Sequence, residues 1–277
     1  TMFEIGASGE DPIDILSRVA LAWQPGTHVQ YSCKGYILLG RVIEAASGMG
    51  LADYARRYVF EPLGMEDTCY LPVGAAIPQR MRDVGIVPSE ARSATPRGVA
   101  LRKEWAQRGE RLDVWRERHV GPAGSAAAGD IACGFVHDEN AAWLGGVSGN
   151  AGVFSTADDL AKFGQMWLNR GVAADGRRVL SSAMVDLATR NYTAGLPGDD
   201  NRGLGWQLPT PDMSFGDLAP ADTIGATGFT GTGLWVVPAY GAVVVLLSNR
   251  LQFTRRNEHI GRVRRLFMNA VLAALAQ

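Results

Sequence analysis

The chain has 277 residues, 47% hydrophobic and 20% charged, a globular composition that excludes a mainly disordered segment. Lys plus Arg (27) nearly balance Asp plus Glu (28), so no overall field draws the molecule to nucleic acid or an anionic membrane; no apolar run approaches the roughly 18 residues of a spanning helix, the one at 242–247 having strand length. Cys33, Cys69 and Cys133 are odd in number and lack C-x-x-C or Cys/His spacing, which excludes a disulfide framework and a zinc site, and no metal or cofactor is expected.

The first predicted helix spans 11–22, with Asp11-Pro12 as N-cap and first-turn pair. Pro25-Gly26 then imposes a loop that carries Tyr31. Residues 35–46 predict a second helix, apolar almost all round as if buried against several neighbours, and 51–60 predict a third. From 72 to 135 the chain is rich in Pro, Gly, Ala and Arg, with an exposed helix predicted at 101–118 and a flexible run at 121–129, and reads as an insertion or lid. Ser155 and Thr156 followed by Asp158 and Asp159 announce a helix to Leu168, a hydroxyl capping the free N–H groups and the acids facing the positive end of the dipole. Residues 223–249 read as two β segments joined by Ala239-Tyr240-Gly241 into an antiparallel hairpin. A closing amphipathic helix, 258–276, places Ile260, Val263, Leu266, Phe267, Val271 and Leu272 on or near one stripe.

Five stretches, in order, carry a resemblance: W-Q-P-G-T-H-V-Q-Y-S-C-K-G-Y-I-L-L-G (23–40), F-E-P-L-G-M-E-D-T (60–68), H-D-E-N-A (137–141), G-G-V-S-G-N-A-G-V-F-S-T-A-D-D-L-A-K-F (145–163) and G-A-T-G-F-T-G-T-G-L-W (225–235). Together they resemble the serine β-lactamase and penicillin-binding protein superfamily, in its class C and esterase branch. The resemblance implies an α+β fold, an antiparallel sheet flanked by helices plus a mainly helical subdomain. Here 1–200 would be the helical part and 201–277 the C-terminal strands and final helix, with the N-terminal part of the fold missing from this chain.

Members of that superfamily use an S-x-x-K nucleophile pair, a Y-x-N loop and a K-T-G or H-T-G strand. Tyr31-Ser32-Cys33 stands where Y-x-N belongs and Ala226-Thr227-Gly228 where the strand triplet belongs. S-x-x-K is absent, because the residues three before Lys34, Lys103 and Lys162 are Tyr31, Ala100 and Asp159. A serine hydroxyl needs an adjacent base to attack near neutral pH, so Tyr31 supplies only part of the machinery. By the resemblance Tyr31 is catalytic, while Cys33, Asn150, Ala226, Thr227, Gly228 and Phe229 bind substrate, the Phe229 N–H being one of two oxyanion donors. Cys33 replaces an amide-binding Asn with a weak thiol, and Ala226 replaces a basic residue, so a neutral or bulky ester or amide suits this cleft better than a carboxylate.

The reading that follows is a serine hydrolase or acyltransferase acting on an ester, amide or lactam, with a small-molecule acyl substrate. A second chain or an N-terminal fragment would supply S-x-x-K. The alternative is a catalytically altered or inactive homologue that serves binding or biosynthetic tailoring. The adjacent His137 and Asp138 read as turn or helix caps rather than a dyad. Nothing in the chain decides between a cytoplasmic and an exported location.

Overall fold

The computed structural model describes residues 12–72, 75–87, 90–91, 131–132, 134, 136–198, 201–210, 214–251 and 258–277. The described helices are α1 (Pro12–Ser17), α2 (Cys33–Ser47), α3 (Leu51–Ala55, continued by a π turn at Arg56–Phe60), α4 (Gln79–Val84), α5 (Glu139–Trp143), α6 (Ala157–Leu168), α7 (Ser182–Thr189) and α8 (Ile260–Leu275). The described strands are β1 (Cys69–Tyr70) paired with β4 (Val153–Phe154), β2 (Glu90–Ala91) paired with β3 (Ile131–Ala132), and an antiparallel sheet β5 (Ile224–Thr227), β6 (Gly233–Val237), β7 (Ala242–Leu246) in that order. The predicted helix at 101–118 and the run at 121–129 lie outside the described residues, as does most of the 72–135 insertion.

The main sheet explains its own sequence. Successive strand side chains alternate faces, and both faces are covered, so β6 is buried along its whole length. Leu234 and Val236 join Ile224, Val243 and Val245 under Phe163 and Trp167 of α6. Trp235 and Val237 join Val244 on the opposite face, against Met268 and Leu272 of α8. Trp206 closes the first layer edge-on to Trp167, with ring centroids 5.1 Å apart. Helix α6 is tied down through Asp159, 1% exposed, which accepts from the Asp67 N–H at 2.7 Å, the Thr68 hydroxyl at 2.8 Å and the Lys162 ammonium at 2.9 Å. A buried carboxylate with three donors avoids the desolvation cost it would otherwise carry. Asp159 is thus an internal anchor as well as a first-turn acid.

Several elements depart from the sequence expectation. Helix α1 ends at Ser17, where the Ser17 hydroxyl and Arg18 Nε both donate to the Asp14 carbonyl at 2.8 and 2.9 Å and divert it from the helical ladder. Helix α2 begins at Cys33 because Ser32 caps it, accepting from the Gly35 N–H. It buries one side only among the described residues: Leu39 and Val42 are 56% and 59% exposed, against the all-round burial expected. The apolar segment 223–237 is two strands, folded back at residues 228–232. The buried face of α8 is Arg264, Met268 and Leu272, while Val263 and Leu266, expected on the stripe, are 50% and 57% exposed. Helix α7, capped by the Ser181 hydroxyl, was not foreseen. No described helix is long and apolar enough to cross a membrane.

Candidate active site

The site begins with the loop before α2. Thr27 donates its hydroxyl to the Gln24 carbonyl and Trp23 stacks on His28 at 3.8 Å, which stiffens the approach. Val29 then pairs with Gly198, its N–H donating to the Pro197 carbonyl at 2.9 Å. Gly198 has φ +133°, and a Cβ there would overlap the Val29 carbonyl, so glycine is required where the two segments cross. Two residues on stands Tyr31, its hydroxyl 3.7 Å from the Cys33 sulfur, and Ser32 ends the loop by capping α2.

Asp138 and Asn150 form a second wall. Asp138 caps α5 by accepting from the Ala141 N–H at 2.8 Å, and the same oxygen accepts from Asn150 Nδ2 at 3.0 Å. Asn150 Oδ1 in turn accepts from the Ser148 hydroxyl at 2.7 Å. This turn lies directly on α2: a Cβ on Gly149 would overlap the Tyr36 carbonyl oxygen, and one on Gly40 would stand 3.2 Å from the Gly149 nitrogen. Two residues without side chains thus let the turn approach the helix that Ser32 starts. Tyr70 donates to the Ser148 carbonyl from the other side at 3.2 Å, and burial pushes its phenol up to about 12.

The third wall is β5 and the turn after it. The outer edge of β5 is bridged by Gln207, which exchanges two backbone hydrogen bonds with Gly225 at 2.8 and 3.0 Å. Gln207 also accepts the Thr227 hydroxyl at 3.2 Å and pairs with Arg202. Ala226 is exposed and leaves the strand on the face opposite Thr227. Gly228 closes the turn by donating its N–H to the Thr232 carbonyl at 2.9 Å. Phe229, 59% exposed, lies with its ring centroid 5.9 Å from that of His137 and 4.4 Å from the Arg250 guanidinium carbon.

These contacts join into a ring. The Tyr31 loop reaches 197–198; the following segment, through Arg202 and Gln207, reaches β5; β5 leads to Phe229, which meets His137; and His137 adjoins Asp138. The electrostatics close it, since both Asp138 and Arg202 act on Tyr31. Although 68% of Tyr31 is exposed, its phenol is pushed up to about 12, by desolvation first, then by Cys33 and the charge of Asp138, with Arg202 pulling the other way. At neutral pH the hydroxyl keeps its proton.

Of the residues singled out from the sequence, Tyr31 and Cys33 are in contact, Asn150 reaches them through Asp138, and Thr227, Gly228 and Phe229 lie together at the strand end. Lys34 is exposed, and Lys162 donates to Asp159 and to the Gly64 carbonyl. Sequence reasoning gave Asp138 only a capping role, and missed Arg202, Arg250 and Arg264. Arg264 had a legible signal, since it falls in helical phase with Met268 and Leu272 on the buried face of α8.

Comparison with known proteins gives three results. A family profile described as Beta-lactamase matches residues 1–267. A protein of Escherichia coli O157:H7 named "Putative D-alanyl-D-alanine carboxypeptidase" is 31% identical over 243 residues, covering 86% of this chain and 49% of its own length. The chain therefore spans about half the length of the curated relatives it matches. Among solved structures, a penicillin-binding protein homologue from Caulobacter crescentus superposes with a TM-score of 0.59 at 19% identity, over 95% of this chain and 64% of that one. EstCE1, titled a hydrolase with promiscuous acyltransferase activity, gives 0.56 at 19% identity, over 94% and 60%. At such identities the two structures establish the fold, an antiparallel sheet between helices.

Proposed function

Because the chain belongs to the Beta-lactamase family, we propose that it carries the tyrosine loop and the strand edge of a serine acyl hydrolase or acyltransferase whose S-x-x-K segment lies outside these 277 residues. The observation that supports this most is the closed ring from Tyr31 through Gln207 and β5 to Phe229, His137 and Asp138. In this reading a proton-carrying phenol and a strand terminus serve the same acyl group. In this reading the serine oxygen attacks the acyl carbon, its proton passes to the base of the S-x-x-K pair, and the oxyanion is held by the Phe229 N–H and a second backbone donor. Tyr31, neutral at rest, gives its proton to the leaving group as that bond breaks. A neighbouring ammonium would lower the phenol from about 12 and let it take the proton back from water in deacylation.

The substrate we propose is an ester or amide without a carboxylate beside the scissile bond. The relatives' printed name implies a D-alanyl-D-alanine terminus, which is anionic, and position 226 offers no cation to it. The full-length protein should therefore hydrolyse p-nitrophenyl esters in preference to D-alanyl-D-alanine peptides, and Ala226→Lys should shift kcat/KM toward the peptide by about tenfold, a gain of ~1.4 kcal/mol. A wild-type preference for the peptide would refute this substrate class.

The reaction class has its own test. Mass spectrometry after incubation with a fluorophosphonate should find one labelled serine in the full-length protein, and Tyr31→Phe should lower ester turnover by about 10²- to 10⁴-fold while thermal stability stays within about 1 kcal/mol. Absence of labelling together with absence of turnover would leave the non-catalytic homologue as the correct reading.

A further inference from the structure

Arg264 as a whole residue is 6% exposed, and no carboxylate among the described residues pairs with its guanidinium. One nitrogen, Nη2, donates to two backbone carbonyls, Gly228 and Thr232, each at 2.6 Å. Its Nε finds no acceptor among the described residues. Burial, reinforced by the charge of Arg250, pulls the group down to about 10. A buried cation without an anion is an expensive way to pin a turn, since a neutral donor would serve. The position of the charge therefore calls for a reason.

The peptide it holds supplies one. The Gly228 carbonyl belongs to the same planar unit as the Phe229 N–H, and in a trans peptide the two point in opposite directions. That carbonyl accepts from Arg264 and from the Gly231 N–H at 3.1 Å. The Phe229 carbonyl accepts from Arg250 Nε at 2.6 Å, the Thr230 carbonyl from the Arg250 N–H at 2.9 Å, and the Gly231 carbonyl from the Ser248 hydroxyl at 2.7 Å. Every carbonyl from 228 to 232 is thereby engaged, with a guanidinium on three of them. The Phe229 N–H faces away from α8 and meets no acceptor among the described residues.

We infer that Arg264 is a positioning residue that fixes the Gly228–Phe229 peptide and polarises it, strengthening the Phe229 N–H as a donor to a developing oxyanion. A charge-assisted bond at one end of an amide draws electron density toward the carbonyl and leaves the N–H more positive. The effect acts through the backbone, so it favours the tetrahedral intermediate over the neutral ground state. This inference rests on the acyl-transfer reading of the site.

The test uses the full-length protein with Arg264→Met, Arg264→Lys and, as a control on the exposed side of α8, Arg262→Met. Arg264→Met should lower kcat for a p-nitrophenyl ester about ten- to hundredfold, with KM within about twofold. Arg264→Lys should recover most of that loss, and Arg262→Met should match wild type. Affinity for a boronic acid that mimics the tetrahedral intermediate should fall by the same factor as kcat. The Phe229 amide resonance in ¹H–¹⁵N spectra should move upfield in Arg264→Met. A folded Arg264→Met protein with wild-type kcat and an unmoved Phe229 amide would overturn the inference. If wild type neither turns over the ester nor binds the boronic acid, the acyl-transfer reading fails, and an unmoved amide would then also remove the role of Arg264.

Discussion

Replacing Gly149 by Ala should loosen the site from its foundation. An alanine Cβ would overlap the Tyr36 carbonyl oxygen and stand 3.0 and 3.1 Å from the Tyr36 carbonyl carbon and the Gly40 nitrogen. All three atoms are backbone, so no side chain can swing aside. Ordinary contact would require the turn and α2 to separate by about 1 Å or more. Overpacking costs about 1–3 kcal/mol, and with rigid partners the upper end applies. At roughly 2–4 °C per kcal/mol for a domain of this size, 3 kcal/mol lowers Tm by about 6–12 °C. Gly50→Ala is the matched control, because a Cβ there meets nothing within 4 Å at φ −62°. Far-UV circular dichroism melts of the two variants measure the difference. The same displacement moves Asn150 relative to Asp138 and Tyr31, so ester turnover should fall in Gly149→Ala and hold in Gly50→Ala. Melting of Gly149→Ala within about 2 °C of the control would refute the claim that this backbone contact seats the site.

Two further outcomes are expected. Cys33 raises the Tyr31 phenol, so Cys33→Ala should bring its ionisation down from about 12 toward the ordinary 10.0; ultraviolet titration against a Tyr31→Phe reference reads this, and an unchanged or higher midpoint contradicts it. Asp159→Asn keeps the shape of the α6 anchor but removes the charge that three donors address, and should cost about 2–3 kcal/mol in urea unfolding, a loss under about 0.5 kcal/mol counting against the anchor.

Much of this architecture was legible because local chemistry and tertiary fold agree. Thr156 caps α6 as its hydroxyl suggested, and β6 and β7 form the hairpin that the two β-rich segments joined by Ala239-Tyr240-Gly241 announced. The turn at 228–232 was hidden in the sequence: T-G-F-T-G-T-G reads as one weak strand, and beside its own backbone hydrogen bonds it is held by carbonyl contacts of Arg250 and Arg264, 21 to 36 residues downstream. The stripe of α8 was misjudged because hydropathy alone put Val263 and Leu266 inside and an arginine outside. An arginine whose guanidinium reaches backbone carbonyls reverses that assignment. The chemical residues Tyr31, Thr227 and Phe229 were recognisable by motif. The bridges between them were not, since Val29 crossing Gly198 and Gln207 joining β5 are pairings that leave no periodic trace in sequence.

In the proposed acyl-transfer site, where the resemblance sets Ala226 in place of a basic residue, positive charge acts from other positions. Arg202 acts on Tyr31, Arg250 covers Phe229, and Arg264 lies behind the Gly228–Phe229 peptide. A cation on the strand itself would bind a substrate carboxylate equally well in the ground state and in the transition state, which lowers KM and leaves kcat alone. A cation reaching the site through an amide finds little to bind in a neutral ester and most when the carbonyl oxygen becomes an anion. The same substitution that weakens recognition of a carboxylate is therefore compatible with acyl transfer, provided that the turn at 228–232 stays held from behind. That makes Arg264, more than Ala226, the residue on which the two readings of this chain part.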